Sequence, residues 1–163
     1  MPLDLSILKL AEYEIIKATG INPVRYTARY TGKVSCPFCS SEDLKKKDKY
    51  IRKLNHETIG LRRTILYLEA RKFHCNYCKK YFNQRFPGIQ KYRRSTEAFR
   101  EEVFERHRNG HTLSYLSRSL YIGTATVERW SHDYLKRKIS ESAGDPCPRV
   151  MGIDEHFFTR KAG

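Results

Sequence analysis

Four cysteines carry the clearest chemistry in this chain. Cys36-Pro37-Phe38-Cys39 and Cys75-Asn76-Tyr77-Cys78 are two C-x2-C pairs with 35 residues between them, and Cys147 stands apart. Each pair can turn two thiolates toward one point, and two such knuckles together make a closed tetrahedral zinc site. The segment before residue 17 carries Asp4, Lys9, Glu12 and Glu14, so it lacks the basic start and clean apolar centre of a secretion signal. The chain therefore reads as cytosolic, where thiols stay reduced and a metal is favoured over disulfides. Four thiolates leave no position open for water, so the expected role of zinc is structural rather than catalytic. His74, next to Cys75, could replace a ligand or lie exposed on a strand. Because ligation supplies folding free energy, a chelator is expected to unfold this part of the chain.

A second group of residues suits phosphate contact. Of the 32 Lys and Arg, sixteen fall between residues 36 and 94 against only five acids there, and they supply most of the net charge of +14. A field so concentrated attracts polyanions, double-stranded DNA first among them, and a basic face kept only for solubility is the bland alternative. Lys45, Lys46, Lys47, Arg62, Arg63, Arg71 and Lys72 are the candidates along the cysteine-bounded stretch, with Arg93 and Arg94 following it. Tyr81, Phe82 and Phe86 interleave with these bases; they could stack on nucleic-acid bases but suit the small core of a zinc ribbon better.

The third group is acidic. Residues 149–156 read as a short apolar strand ending in Asp154 and Glu155. A carboxylate at a strand end is a common holder of Mg2+ for phosphoryl chemistry, although by composition alone an exposed turn after a strand explains a single Asp-Glu pair better.

These residues need elements to position them. The spacing between the knuckles exceeds the ~15 to 20 residues of the common short pattern, which calls for a β-ribbon, and residues 49–54 and 64–73 read as its strands. Phe99, Val103 and His107 recur at helical spacing with Phe104 beside them, and Asn109-Gly110 stops that helix. Thr112 can cap a second helix bearing Leu113, Leu116 and Leu120, and Thr124 a third with Val127, Trp130 and Tyr134 inward. Three helices with a turn at Tyr121-Ile122-Gly123 form a helix-turn-helix pattern, in which Thr124, Thr126 and Arg129 would face a major groove. An ordinary bundle with a wet polar face has the same pattern. At the start of the chain, a helix through Leu5, Leu8, Ala11 and Ile15 competes with a strand pairing onto Val24, Tyr26, Ala28 and Tyr30, which alternate.

The expected fold class is small, modular α+β. Its segments are 1–35, a zinc ribbon at 36–90, a helix-turn-helix at 91–139, a linker at 140–148 and a strand segment at 149–163. At 39% hydrophobic and 31% charged, the composition suits folded modules and excludes a membrane-inserted chain.

Taken in order, Cys36-Pro37-Phe38-Cys39, Gly60-Leu61-Arg62-Arg63, residues 69–75, Arg85-Phe86-Pro87-Gly88-Ile89, Ala125-Thr126-Val127-Glu128-Arg129-Trp130 and Gly152-Ile153-Asp154-Glu155-His156 resemble the bacterial insertion-sequence transposases of the ISL-three group. The resemblance implies a zinc ribbon and helix-turn-helix that bind terminal inverted repeats. It also implies a ribonuclease-H-like domain that cuts and joins DNA with a DDE triad and Mg2+, of which Asp154 matches the first acid. The other two acids lie downstream in that family and the sequence ends at Gly163, so no strand cleavage is expected from this chain alone. Pairing of element ends allows a homodimer. The same modules would also serve a transcriptional regulator, and the ribbon aromatics an RNA or protein adaptor.

Overall fold

The computed structural model describes residues 12–144, which form a twisted sheet and three helices. Strands β1 (Tyr13–Thr19), β2 (Val24–Tyr30), β3 (Leu44–Ile59) and β4 (Arg62–Cys75) lie in the order β1-β2-β4-β3, and β5 (Tyr81–Asn83) pairs with the end of β4. The strand alternative for the end of the first segment is the one realised. β1 runs antiparallel to β2, with Tyr13 opposite Tyr30 and Thr19 opposite Arg25. The turn between them needs Gly20, at φ +77, because a β-carbon there would meet the Pro23 carbonyl at 2.8 Å.

β2 lies parallel to β4, Val24 facing Thr64 and Arg29 facing Glu69. Residues of the first segment and of the ribbon therefore share one sheet and one core. That core takes alternate residues from each strand, Val24, Tyr26 and Ala28 from β2 and Leu66, Leu68 and Ala70 from β4, closed by Leu54, Phe86 and Ile89. The β3–β4 hairpin is longer at both ends than residues 49–54 and 64–73, and two bulges interrupt it, between Lys46 and Lys49 and between His56 and Ile59. Glu69 bridges three strands on the other face, accepting from Lys49 Nζ at 2.9 Å and Arg29 Nε at 3.1 Å. Those two cations, Lys49 first, hold its carboxyl below the usual range.

Helices α1 (Glu97–Arg108), α2 (Leu113–Leu120) and α3 (Thr124–Glu141) enclose Phe99, Val103, Leu116, Leu120, Val127 and Trp130. The inward residues follow the helical spacing of the sequence, with His107 half-buried. Thr112 caps α2 as expected, its hydroxyl accepting from the Tyr115 amide. The cap of α3 differs: Gly123 occupies it without a side-chain bond, and Thr124 is the first helical residue. Two adjacent residues could each fill that position, and Tyr121 in the left-handed region at φ 55 turns the chain early enough for Gly123 to take it. α3 also runs two residues past the expected boundary at 139.

Sheet and helices are fastened together rather than strung on a free linker. The Asn55 amide donates to the Arg94 carbonyl and the Thr96 amide to the Asn55 carbonyl, so the segment before α1 lies along β3. Buried His56 Nδ1 shares a hydrogen bond of 2.9 Å with Thr96 Oγ1, the hydroxyl that caps α1. Glu102 accepts from the Thr58 amide at 2.8 Å and from the Thr58 hydroxyl, and pairs with Arg106 Nη2 at 2.7 Å. Replacing Glu102 with Ala strands these donors at the joint. The expected cost is about 1–3 kcal/mol, read as a lower thermal midpoint with unchanged helix content by circular dichroism.

Candidate metal centre and nucleic-acid interface

The two knuckles are built alike. The Ser40 amide donates to the Cys36 carbonyl and the Cys36 amide to the Ser41 carbonyl; Lys79 and Lys80 repeat both bonds with Cys75. Ser40 and Lys79 each sit at φ 59, the left-handed turn that folds either pair of thiols back on itself. Asn76 ties one knuckle to the other, donating from its side chain to Asp43 Oδ1 at 2.7 Å and from its amide to the Asp43 carbonyl.

The antiparallel hairpin then brings the knuckles together. Cys36 Sγ lies 3.5 Å from Cys78 Sγ and Cys39 Sγ 3.6 Å from Cys75 Sγ, and all four sulfurs fall within 4.8 Å of one another. Zinc–sulfur bonds of about 2.3 Å in a tetrahedron place sulfurs roughly 3.8 Å apart, inside that range. All four cysteines are free thiols.

The electrostatics fit the same ion. Amides of the knuckle, that of Cys78 foremost, lower Cys75 to about 6 against the effect of burial. At Cys39 the Ser41 amide is outweighed by burial and the adjoining thiols, which push it up to about 12. Four thiolates this close repel one another, and a divalent cation removes the conflict. The donor set and spacing fit zinc, held by Cys36, Cys39, Cys75 and Cys78. Its contribution is to close the ribbon end, where Phe73 and Phe82 stack with centroids 5.6 Å apart beside the buried thiols. His74 is no ligand; its ring lies 4.6 Å from that of Tyr81.

Residues 32–78 match the zinc-finger family of the transposases IS204/IS1001/IS1096/IS1165. This segment is similar to a transposase zinc ribbon. No curated protein and no solved structure matches the chain. The transposase zinc-finger segment contains both knuckles and the whole of the β3–β4 hairpin, while β1, β2, β5 and the helices lie outside it. Together with the four clustered cysteines it points to a structural zinc. Among the described residues no helix is long and apolar enough to cross a membrane.

The basic residues do not form a single patch. Lys45, Lys46 and Lys47 are exposed on β3 at the zinc end of the ribbon. Arg62 and Arg63 follow the hairpin turn at the other end, roughly 40 Å away at the ~3.3 Å rise of a strand. Arg71 and Lys72 are half-buried on β4 at the zinc end, across from residues 47–49, and Arg93 and Arg94 are exposed on the segment leading to α1. The hairpin end meets the helices: the Arg63 guanidinium stacks 4.1 Å from the centroid of Tyr121, two residues before Gly123. That contact puts Arg63 beside the turn that leads into α3, on which Thr124 and Arg129 are exposed and Thr126 is half-exposed. Neither Arg63 on Tyr121 nor the docking of residues 91–94 on β3 has a signature in local sequence. Of the three interleaved aromatics, Phe82 and Phe86 are core as expected, whereas Tyr81 is 56% exposed. On a strand, neighbours face opposite ways, and the buried position of Phe82 sends Tyr81 outward. Asp154, Glu155 and Cys147 lie outside the described residues.

Proposed function

We propose that this chain is the DNA-recognition part of an insertion-sequence transposase and binds the terminal inverted repeats of its element. The family match of residues 32–78 carries the reading. In this reading α2 and α3 act as a helix-turn-helix. Thr124, Thr126 and Arg129 enter a major groove, while Lys45–Lys47 and the hairpin arginines hold phosphates on either side. The stacking of Arg63 on Tyr121 supports it, because ribbon and reading helix then meet one duplex at a fixed angle. Strand cutting belongs to a domain of which Asp154 is the first acid, with Mg2+ supplied there.

The test is gel-shift binding of the zinc-loaded chain to duplexes from both flanks of its own gene, against scrambled competitor. Selective binding to a repeat inverted at the two flanks is the expected outcome; a site in a promoter instead would make the chain a regulator. Arg129→Ala is expected to lose about 1–3 kcal/mol at one base position and relax preference there. Neutralising Lys45, Lys46 and Lys47 is expected to weaken all duplexes alike and flatten the salt dependence. If Arg129→Ala discriminates sites as the parent does, α3 is not the reading helix.

A further inference from the structure

A groove of about 660 Å3 lies beside the ribbon, between the first knuckle, β3, β5 and the segment 84–94. It has the size of a preformed small-ligand site. Its lining holds six Lys or Arg and six aromatic residues and no acid. It is rigid in its frame. Arg52 crosses its floor and donates to the Arg93 carbonyl at 2.9 Å, Tyr13 donates to the Pro87 carbonyl at 3.0 Å, and the Glu97 amide holds the Gly88 carbonyl at 2.8 Å.

Three of its rings are not core. Phe38 is 55% exposed, Tyr81 56% and Tyr92 81%, and Tyr92 is held at φ 64, a backbone region that residues with a β-carbon rarely occupy. Lys80 lies 4.8 Å from the Phe38 centroid and Lys91 4.7 Å from that of Tyr92, so each ring is presented with a cation. A duplex offers its surroundings phosphates and base edges but keeps its base faces stacked inside. Exposed rings beside phosphate-binding cations are used only by bases that have left the stack.

We infer that this groove binds a short unpaired stretch of polynucleotide, its bases stacked on Phe38, Tyr81 and Tyr92 and its phosphates on Lys53, Arg85 and Arg94. The site needs neither α3 nor a base sequence, so it stands apart from duplex recognition. Single-stranded DNA and RNA share the chemistry, and the 2′-hydroxyl alone separates them.

The experiment is fluorescence anisotropy of the zinc-loaded chain with labelled oligothymidylate and, in a second arm, oligouridylate. Binding is expected, with the tighter arm identifying the natural strand. Tyr81→Ala and Tyr92→Ala are each expected to weaken it about tenfold, while Tyr81→Phe and Tyr92→Phe keep it and all four retain the parent's circular dichroism and duplex preference. Oligomer binding that is indifferent to both alanine variants, or that blunt duplex competes away as well as unlabelled oligomer does, would overturn the inference. Loss of duplex preference with ring-dependent oligomer binding intact would sink the duplex reading and leave the groove standing.

Discussion

Stripping zinc with a chelator is expected to melt one end of the sheet and leave the rest folded. The core at the metal end consists of Cys36, Phe73, Cys75 and Phe82, edged by Val34, Cys39, Leu44 and Cys78. Half of those residues are the ligands themselves. Without the ion, Phe73 and Phe82 bury too little apolar surface to order two knuckles and a short edge strand. Structural zinc contributes an apparent ~10–16 kcal/mol in small modules, as much as or more than the ~5–15 kcal/mol that holds a whole domain. The second core does not depend on it. Leu54, Leu66 and Leu68 pack with Val24, Tyr26 and Ala28 farther along the hairpin, and the helices have their own interior around Val103, Leu116 and Val127. Hydrogen exchange after chelation, or in Cys75→Ser, should therefore lose protection at 36–46 and 73–83 and keep it at 54–70 and 99–134. Collapse of all protection at once would show that the metal governs the whole sheet. Because Lys45 and Lys46 lie in the melted part and Lys47 at its edge, the same treatment is expected to lower affinity for every duplex while the preference supplied by α3 survives.

Unfolding of only the zinc end is narrower than the sequence alone suggests, and the reason lies in what sequence can express. Two C-x2-C pairs announce a metal site because the chemistry demands four thiolates and the spacing is local within each pair. The alternation of Val24, Tyr26 and Ala28 announces a strand with one buried face, and the recurrence of Phe99 and Val103 a helix, for the same reason. The partner of β2 is another matter. Parallel pairing of Val24 with Thr64 joins residues 40 apart, and no pattern within either strand specifies the other. The second core, independent of zinc, exists only through that pairing. The groove is hidden likewise, since Phe38, Lys53, Tyr81 and Tyr92 come from four separate stretches. Gly123 replaced Thr124 as cap because a hydroxyl's preference is worth about 1 kcal/mol, less than the turn geometry that Tyr121 imposes. The transposase resemblance holds for the ribbon, where residues 32–78 match the family and the cysteine spacing is a local signal. For the helices it rests on residue types that many three-helix units share.

The helical unit offers the second large effect, at a buried charge. Arg100 on α1 has only 4% of its side chain exposed; its Nη1 meets Glu97 Oε1 at 3.0 Å, and its guanidinium lies 5.2 Å from the Trp130 centroid. Glu97 serves three groups at once. Its other oxygen accepts from Tyr134 Oη on α3 at 3.2 Å and faces Arg137 at 4.0 Å, and its position in the first turn of α1 suits the positive end of that helix. Removing one partner of such a pair costs about 3–5 kcal/mol when the charge left behind is buried, as Arg100 would be, whereas Glu97 left without Arg100 still has Tyr134, Arg137 and water to meet it. Glu97 is 28% exposed, so water recovers part of the loss. Glu97→Ala is therefore expected at about 3 kcal/mol, a fall of roughly 10 °C in thermal midpoint. Arg100→Met keeps an unbranched stem against Trp130 and should cost less than 1.5 kcal/mol, about the tolerance of a volume-conserving swap. The double variant should then be more stable than Glu97→Ala alone, because the stranded charge is gone. If Arg100→Met instead costs as much as Glu97→Ala, the guanidinium is held by packing on Trp130 rather than by its carboxylate, and the electrostatic account of how α1 is joined to α3 fails.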